Sequence, residues 1–263
     1  MKSQLAKPLF FLIGFILVVS LACGFGAPEE PAPAEEPAPV VEEEAPQPAE
    51  PEPTDPPPTE PVAQQFYTEN FDGDTSQWTY FLVDGRESVP TYAEEDFGTM
   101  FVGTEDERLH FDLESEYQWA YVTYDAHEYE NVRLDAVVEN RGVNNNNVSL
   151  ICRYTQDEGW YEFNIANNGL YNIYHAIIRD DGAVIYTHIA DGGSNKIKAG
   201  KEVNEYSIVC KDRQLELYIN GYETRILEEN NYVLRDGLVG ISVSSFDILP
   251  VTVEVDSITI SEP

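Results

Sequence analysis

Residues 160–173 read WYEFNIANNGLYNI and form the clearest structural signal in this sequence. On both sides of Asn168-Gly169, apolar and polar residues alternate with a period of two, which is typical of β-strands whose successive side chains point to opposite faces. Asn-Gly between two such runs is a strong hairpin signal. The segment therefore predicts two antiparallel strands. Their core-facing residues are expected to be Tyr161, Phe163, Ile165, Tyr171 and Ile173.

The same alternation extends through the chain in both directions. Asp181-Gly182, Asp212-Arg213 and Asn220-Gly221 predict further turns. The predicted strands lie at residues 108–113, 120–124, 132–139, 147–154, 161–165, 170–178, 183–189, 204–210, 215–219, 222–227, 238–244 and 251–260. Because about a dozen strands are separated by turns, the sequence predicts an all-β domain of two packed antiparallel sheets.

Several of these segments carry a family resemblance. They are Asn70-Phe71-Asp72 with Trp78, LICRY at 150–154, WYEF at 160–163, NGLYNI at 168–173, LELYING at 215–221, GLVG at 237–240 and VEVD at 253–256. Together they resemble the concanavalin A-like lectin/glucanase jelly roll, in particular the domain of bacterial surface lipoproteins related to laminin-G-like modules and 3-keto-disaccharide hydrolases. The resemblance implies a two-sheet antiparallel jelly-roll sandwich over residues 63–263. Since this fold hosts lectins, hydrolases and inert spacers, function depends on the site.

The N-terminus has the organisation of an export signal. Lys2 and Lys7 precede an apolar run at 9–19, which is shorter than the roughly 20 residues that span a bilayer. Leu-Ala-Cys at 21–23 resembles the lipobox of bacterial lipoproteins, although Ser20 stands where that family usually has an aliphatic residue. We therefore expect a lipoprotein signal peptide at 1–22, a lipidated Cys23 and an extracytoplasmic protein anchored to a membrane. The alternative is an ordinary signal peptide with an incidental cysteine.

Composition separates a linker from the domain. Residues 24–62 contain 13 of the 17 prolines and 11 acidic residues, with no Lys or Arg. Such a segment cannot bury enough apolar surface to fold, so 23–62 is interpreted as the lipidated cysteine followed by a disordered Pro/Glu-rich tether. The whole chain has 48 acidic and 15 basic residues, for a net charge of −33. This charge excludes nucleic acid as a partner, because phosphate binding requires basic surfaces.

Two cysteines remain once Cys23 is assigned to the lipid. Cys152 and Cys210 both fall on predicted inward faces of strands in an exported domain. An even pair in an oxidising compartment predicts a disulfide. Two buried free thiols are the alternative.

A candidate ligand face follows from the alternation. Six side chains are predicted opposite the core, namely Arg153, Trp160, Glu162, Asn164, Asn172 and Tyr174. Aromatic rings beside amide, carboxylate and guanidinium groups suit the apolar face and hydroxyl rim of a sugar, which makes a glycan or cell-envelope polysaccharide the expected partner. An ordinary half-exposed sheet face would have a similar composition.

The sequence contains only part of the catalytic motif of the resembled glucanases. Glucanases of the resembled fold carry Glu-x-Asp-x-x-Glu on one strand, whereas Glu254-Val255-Asp256 here lacks the second Glu. No catalytic residue or metal ligand is assigned, and a structural calcium between Glu69 or Asp72 and Asp256 is implied only by the fold's relatives. Three functions remain open: a membrane-anchored carbohydrate-binding module, a glycoside-cleaving enzyme of the 3-keto-disaccharide type, and a structural or protein-interaction domain.

Overall fold

The computed structural model describes residues 64–86, 89–91, 98–180 and 184–263, with only the backbone for 89–91. The predicted signal peptide, Cys23, the tether and the Asp181-Gly182 turn lie outside the described residues. Within them every regular element is a β-strand, and no helical segment has the length and apolarity needed to cross a bilayer.

Sixteen strands of the described chain form two antiparallel sheets. Sheet 1 contains, in spatial order, β14 (Tyr222–Glu228), β13 (Gln214–Ile219), β12 (Val203–Lys211), β7 (Val132–Asn140), β16 (Val251–Ser261), β5 (Arg108–Leu113) and β4 (Met100–Glu105), with β1 (Tyr67–Glu69) also paired to β16. Sheet 2 contains β11 (Val184–Gly193), β10 (Leu170–Ile178), β9 (Gly159–Ala166), β8 (Asn146–Thr155), β15 (Leu238–Ser245), β6 (Gln118–Tyr124), β2 (Trp78–Asp84) and β3 (Val89–Thr91).

The main core lies between the two sheets. Inward residues of both sheets alternate with outward ones, and Phe111, Leu134, Phe163 and Ile241 are each fully buried there. The five inward residues predicted for β9 and β10 all belong to this core. The predicted two-sheet sandwich is therefore confirmed.

The predicted hairpins are confirmed where the structure describes them. The β9–β10 turn has Gly169 at φ 97°, and the β13–β14 turn has Asn220 and Gly221 at φ 51° and 76°. Two central residues with positive φ match the twist of the flanking strands, which is why Asn-Gly is favoured in such turns.

The predicted disulfide is present and joins the two sheets. Cys152 on β8 and Cys210 on β12 are both fully buried, with Cα atoms 6.7 Å apart and a sequence separation of 58 residues. Closing a loop of this length stabilises the fold by about 4 kcal/mol in the chain-entropy model.

A β-bulge in β8 changes one part of the predicted alternation. The register with β9 shifts between Cys152 and Thr155, and Arg153 has φ 56°. Tyr154 consequently packs on the outer face, whereas strict alternation from Cys152 would have turned it toward the core. Arg153 is likewise not on the outer face, because an extra residue in one strand moves the following side chain to the opposite side.

Arg153 is held instead beside the main core. Its Nη1 donates to the carbonyl of Leu234 at 2.6 Å, and its Nη2 donates to the carbonyl of Glu130 at 3.0 Å. Leu234 is itself a core residue.

Candidate functional site

The outer face of sheet 2, which points away from the main core, carries a second apolar cluster. We call this cluster the aromatic layer; its members are Val83, Tyr121, Ile151, Trp160, Ala176 and Val184, with the partly buried Phe81, Trp119, Tyr154, Ile178 and Tyr186 packed against them. Trp160 is fully buried in it. The ring centroids of Phe81, Tyr121, Tyr154 and Tyr186 lie 5.4–6.3 Å from that of Trp160. Side chains from six strands of sheet 2 thus cover a face that ordinarily meets solvent.

Glu162 is the next outward-facing residue after Trp160 on β9, and it is only 3% exposed. Its Oε2 accepts hydrogen bonds from the hydroxyl of Tyr121 at 2.9 Å and from Nε1 of Trp160 at 3.1 Å. Its Oε1 accepts from Oγ of Ser149 at 2.8 Å and from Nδ2 of Asn164 at 3.4 Å. Burial raises the pKa of Glu162, and the four donors counteract part of that rise. The carboxyl group is therefore fixed within the sheet face.

A polar row runs across five strands beside the aromatic layer. In cross-strand register it consists of Ser242, Ser149, Asn164, Asn172 and Asp191. Its members become more accessible toward the sheet edge, from the fully buried Ser242 to the exposed Asp191. Oγ of Ser242 has no hydrogen-bond partner in the described structure. Access to polar groups on this face is thus concentrated at β10 and β11.

Tyr174 is the accessible aromatic ring at this edge. It is half-buried and lies directly across from Glu162, with its ring centroid 6.1 Å from those of both Tyr186 and His188. Burial, followed by the negative charges of Glu162 and Asp191, raises the pKa of Tyr174, so the phenol stays neutral at physiological pH.

Tyr186 and His188, which contact the ring of Tyr174, each have a polar partner of their own. The hydroxyl of Tyr186 lies 2.7 Å from that of Tyr121, and Nε2 of His188 lies 3.1 Å from Oδ1 of Asp191. We call the accessible set the edge patch; it consists of Asn172, Tyr174, Tyr186, His188 and Asp191.

The structure brings five of the six predicted ligand residues together. Trp160, Glu162, Asn164, Asn172 and Tyr174 share the outer face, whereas Arg153 lies beside the main core. Trp160, Glu162 and Asn164 are each at least nine-tenths buried on that face, so a ligand would meet mainly Asn172 and Tyr174. Sequence reasoning missed Tyr186, His188 and Asp191. The alternation within 183–189 is the signal that could have identified the first two.

Solved structures show which fold this is. A GH16 protein of a Bacteroides ovatus mixed linkage glucan PUL shares 11% identity over 74% of this chain and 99% of its own, with a TM-score of 0.53. A Bacillus subtilis protein with a galectin-like fold shares 8% identity over 74% of this chain and 94% of its own, with a TM-score of 0.54. LamAcat from Zobellia galactanivorans shares 9% identity over 76% of this chain and 98% of its own, with a TM-score of 0.52. The domain is a concanavalin A-like jelly roll. No family model matches the chain, and no curated protein matches it.

The acidic motif nearest to a glucanase signature lies on the other sheet of the jelly roll. Glu254 and Asp256 belong to β16 of sheet 1, where Arg108 lies 2.6 Å and 3.4 Å from their carboxylates. These acids therefore form an ion-pair network away from the edge patch.

The acidic residues named above for calcium either have other partners or are exposed to solvent. Among the described residues, no three or more His, Cys, Asp or Glu side chains are grouped to hold a metal ion. Of the residues named for calcium, Glu69 accepts the backbone N–H of Phe71 at 2.8 Å and Asp256 pairs with Arg108, while Asp72 is exposed. The first and last strands are joined by backbone pairing of β1 with β16.

Proposed function

We propose that the jelly-roll domain binds carbohydrate at the edge patch of sheet 2 without hydrolysing it. The observation that carries this proposal is the half-buried ring of Tyr174, flanked by the amide of Asn172 and the His188–Asp191 pair. An aromatic face stacks on the C–H face of a sugar, and planar polar groups bind its hydroxyl rim. The similar fold of a GH16 protein from a mixed linkage glucan PUL also supports a carbohydrate ligand.

Rigidity of the edge patch supports binding. Tyr174 contacts Tyr186, which is anchored through Tyr121 to the buried aromatic layer. Because the ring is already ordered, little conformational entropy is lost when a sugar stacks on it. A small and open patch of this kind is expected to bind weakly, with a dissociation constant of roughly micromolar to millimolar.

The environment of Glu162 favours binding over hydrolysis. A retaining glycosidase places two carboxyl groups about 5–5.5 Å apart and open to the substrate. Glu162 is 3% exposed, accepts four hydrogen bonds, and has Ile151 and Tyr174 as its cross-strand neighbours. The carboxyl group of Glu162 therefore holds neighbouring side chains of the sheet face in place and is not open to a substrate.

We further propose that the chain is an extracytoplasmic lipoprotein, anchored to a membrane through Cys23. The basic n-region, the short apolar run and Leu-Ala-Cys support this proposal. Residues 24–62 would hold the jelly roll away from the anionic lipid surface, since the segment is proline-rich and carries only negative charge. The protein would thereby present its edge patch to envelope or environmental polysaccharide.

The ligand proposal is tested by replacing Tyr174. The full chain is screened on a glycan array that includes mixed linkage β-glucan, and each hit is measured by titration calorimetry. Tyr174→Ala should weaken binding by about 1–3 kcal/mol, or roughly 5- to 150-fold, because stacking and buried area are lost. Tyr174→Phe should retain most of the affinity. Tyr222→Ala is the matched control, because Tyr222 is 54% exposed on β14 of the other sheet.

Three outcomes would contradict this proposal. Equal losses for Tyr174→Ala and Tyr222→Ala would exclude the edge patch as the binding site. A wild-type protein that binds no glycan would favour a structural or protein-interaction domain. Release of reducing sugar from a bound oligosaccharide, abolished by Glu162→Gln, would establish hydrolysis.

A further inference from the structure

Two adjoining depressions form a charged groove beside the β12–β13 turn. Their volumes are about 580 and 380 Å³, and both are lined by Asp212 and Arg213. Each volume lies within the range of roughly 300–1,000 Å³ that is typical of ligand sites. We call this feature the arginine groove; its other charged lining residues are Glu130, Arg153, Lys211, Glu228 and Arg235.

Basic and acidic side chains are nearly balanced in the arginine groove, whereas the molecule as a whole is strongly acidic. Its four cations are Arg153, Lys211, Arg213 and Arg235, and its three acids are Glu130, Asp212 and Glu228. The complete chain has 48 acidic and only 15 basic residues. Lys211 and Arg235 form no ion pair with any residue that the structure describes. Two cations in the groove are therefore available to an incoming anion.

Two arginines of the groove are held in place by hydrogen bonds. Nη1 of Arg213 donates to Oδ1 of Asn230 at 2.7 Å, and the Arg213 carbonyl accepts the N–H of Glu229 at 2.8 Å. Arg153 is 2% exposed beneath the groove, and its Nε has no hydrogen-bond partner in the described structure. Anchored guanidinium groups lose little entropy when they bind a carboxylate, which they contact through two parallel N–H bonds.

We propose that the arginine groove binds an acidic oligosaccharide through the carboxylates of its uronic acid residues. Arg213 and Arg235 contact a uronate carboxylate, and Lys211 contacts the next acidic residue along the ligand. Carboxylates within the groove accept hydrogen bonds from sugar hydroxyls, so the mixed lining suits a ligand that carries both hydroxyls and negative charge. This site is separate from the edge patch and does not depend on the function proposed there.

The test uses oligogalacturonate as the probe and the full chain as the protein. Binding is measured by titration calorimetry, with an uncharged cello-oligosaccharide of equal length alongside. We expect Arg235→Gln to lower oligogalacturonate affinity about tenfold, and Arg213→Gln with Arg235→Gln to lower it further, because each removes a charge-assisted contact. Arg225→Gln is the matched control, since Arg225 is an exposed arginine on β14 outside the groove. Tyr174→Ala should leave oligogalacturonate binding unchanged.

The outcomes separate this site from the edge patch. Selective loss with Arg235→Gln supports the arginine groove even if Tyr174→Ala has no effect on any neutral glycan. Failure of the wild type to bind oligogalacturonate overturns the proposal, and so does an equal loss with Arg225→Gln, which would indicate non-specific attraction to positive charge. Because Arg213 also bonds to Asn230, the fold of that variant is checked by its unfolding midpoint. Because Arg235 is exposed, Arg235→Gln is expected to fold normally, and this variant alone can decide the test.

Discussion

At the residue scale, Glu229 organises the loop between β14 and β15. Its carboxylate accepts the hydroxyl of Tyr161 at 2.6 Å and the backbone N–H groups of Asn231, Tyr232 and Val233 at 2.6, 3.1 and 3.0 Å. Burial tends to raise the pKa of Glu229, but these hydrogen bonds outweigh it and leave the pKa below the ordinary value of 4.5. The loop that presents Arg235 is therefore held by an ionised carboxylate.

We expect Glu229→Gln to lower the free energy of unfolding by about 1–3 kcal/mol at neutral pH, because charge-assisted hydrogen bonds to a buried group are lost. Since folding lowers the pKa of Glu229, its stabilisation is fully present above the unfolded value and disappears as the pH falls through the folded value. Denaturant unfolding at neutral and acidic pH should show the difference from wild type shrinking in acid. Glu228→Gln is the control, since the Glu228 side chain is 66% exposed. A pH-independent difference would contradict this role.

Local sequence predicted which face each residue occupies better than how deeply it is buried. Alternation correctly placed Trp160 and Glu162 opposite Tyr161, but their cover includes Phe81 and Tyr121, which are distant in sequence. Arg153 was misplaced because a β-bulge depends on pairing with β9, which no local pattern encodes. Burial of the candidate site is thus a tertiary property.

At the element scale, hairpins that turn at Asn-Gly were predictable from the sequence, whereas the first strands of the domain were not. The β13–β14 turn carries its own signal in Asn220-Gly221, whose positive φ angles few other residues tolerate. The strands β1 to β4 were not predicted. Two of them have only three residues, and β4 at the edge of sheet 1 lacks a clean alternation of buried and exposed positions. Of these strands, β1 depends on pairing with β16, which lies far away in sequence, whereas β3 and β4 pair with the neighbouring strands β2 and β5.

The start of β9 depends on a close approach that only glycine permits. Gly159 has φ +90°, and an added Cβ would lie 1.9 Å from the backbone carbonyl oxygen of Ala176 on β10. Gly221 has φ +76° with nothing within 4 Å of the same position. Gly221→Ala should therefore incur only backbone strain, of about 1–3 kcal/mol.

We expect Gly159→Ala to destabilise the protein more than Gly221→Ala, because strands β9 and β10 must also separate locally. Thermal unfolding compares the two variants, and amide hydrogen exchange should show reduced protection at the Trp160 end of β9. Equal losses of stability would show that the Ala176 contact is relieved without cost.

At the scale of the whole molecule, the proposed anchor determines where the acidic domain is found. Wild type should fractionate with membranes and incorporate labelled fatty acid, whereas Cys23→Ser should accumulate as precursor or be released, because lipid attachment requires the thiol. Cys210→Ser is the matched cysteine control and should retain the label. A processed, membrane-bound Cys23→Ser protein would contradict lipidation at this position.

The disulfide between the sheets also makes residues 152–210 a closed covalent ring. That ring contains β9, β10 and β11 and therefore the entire edge patch. A protease that cuts the backbone once inside the ring leaves both new ends attached to the same molecule. In the extracytoplasmic location proposed above, where disulfides persist, such a nick would not release the strands that carry Tyr174 and His188.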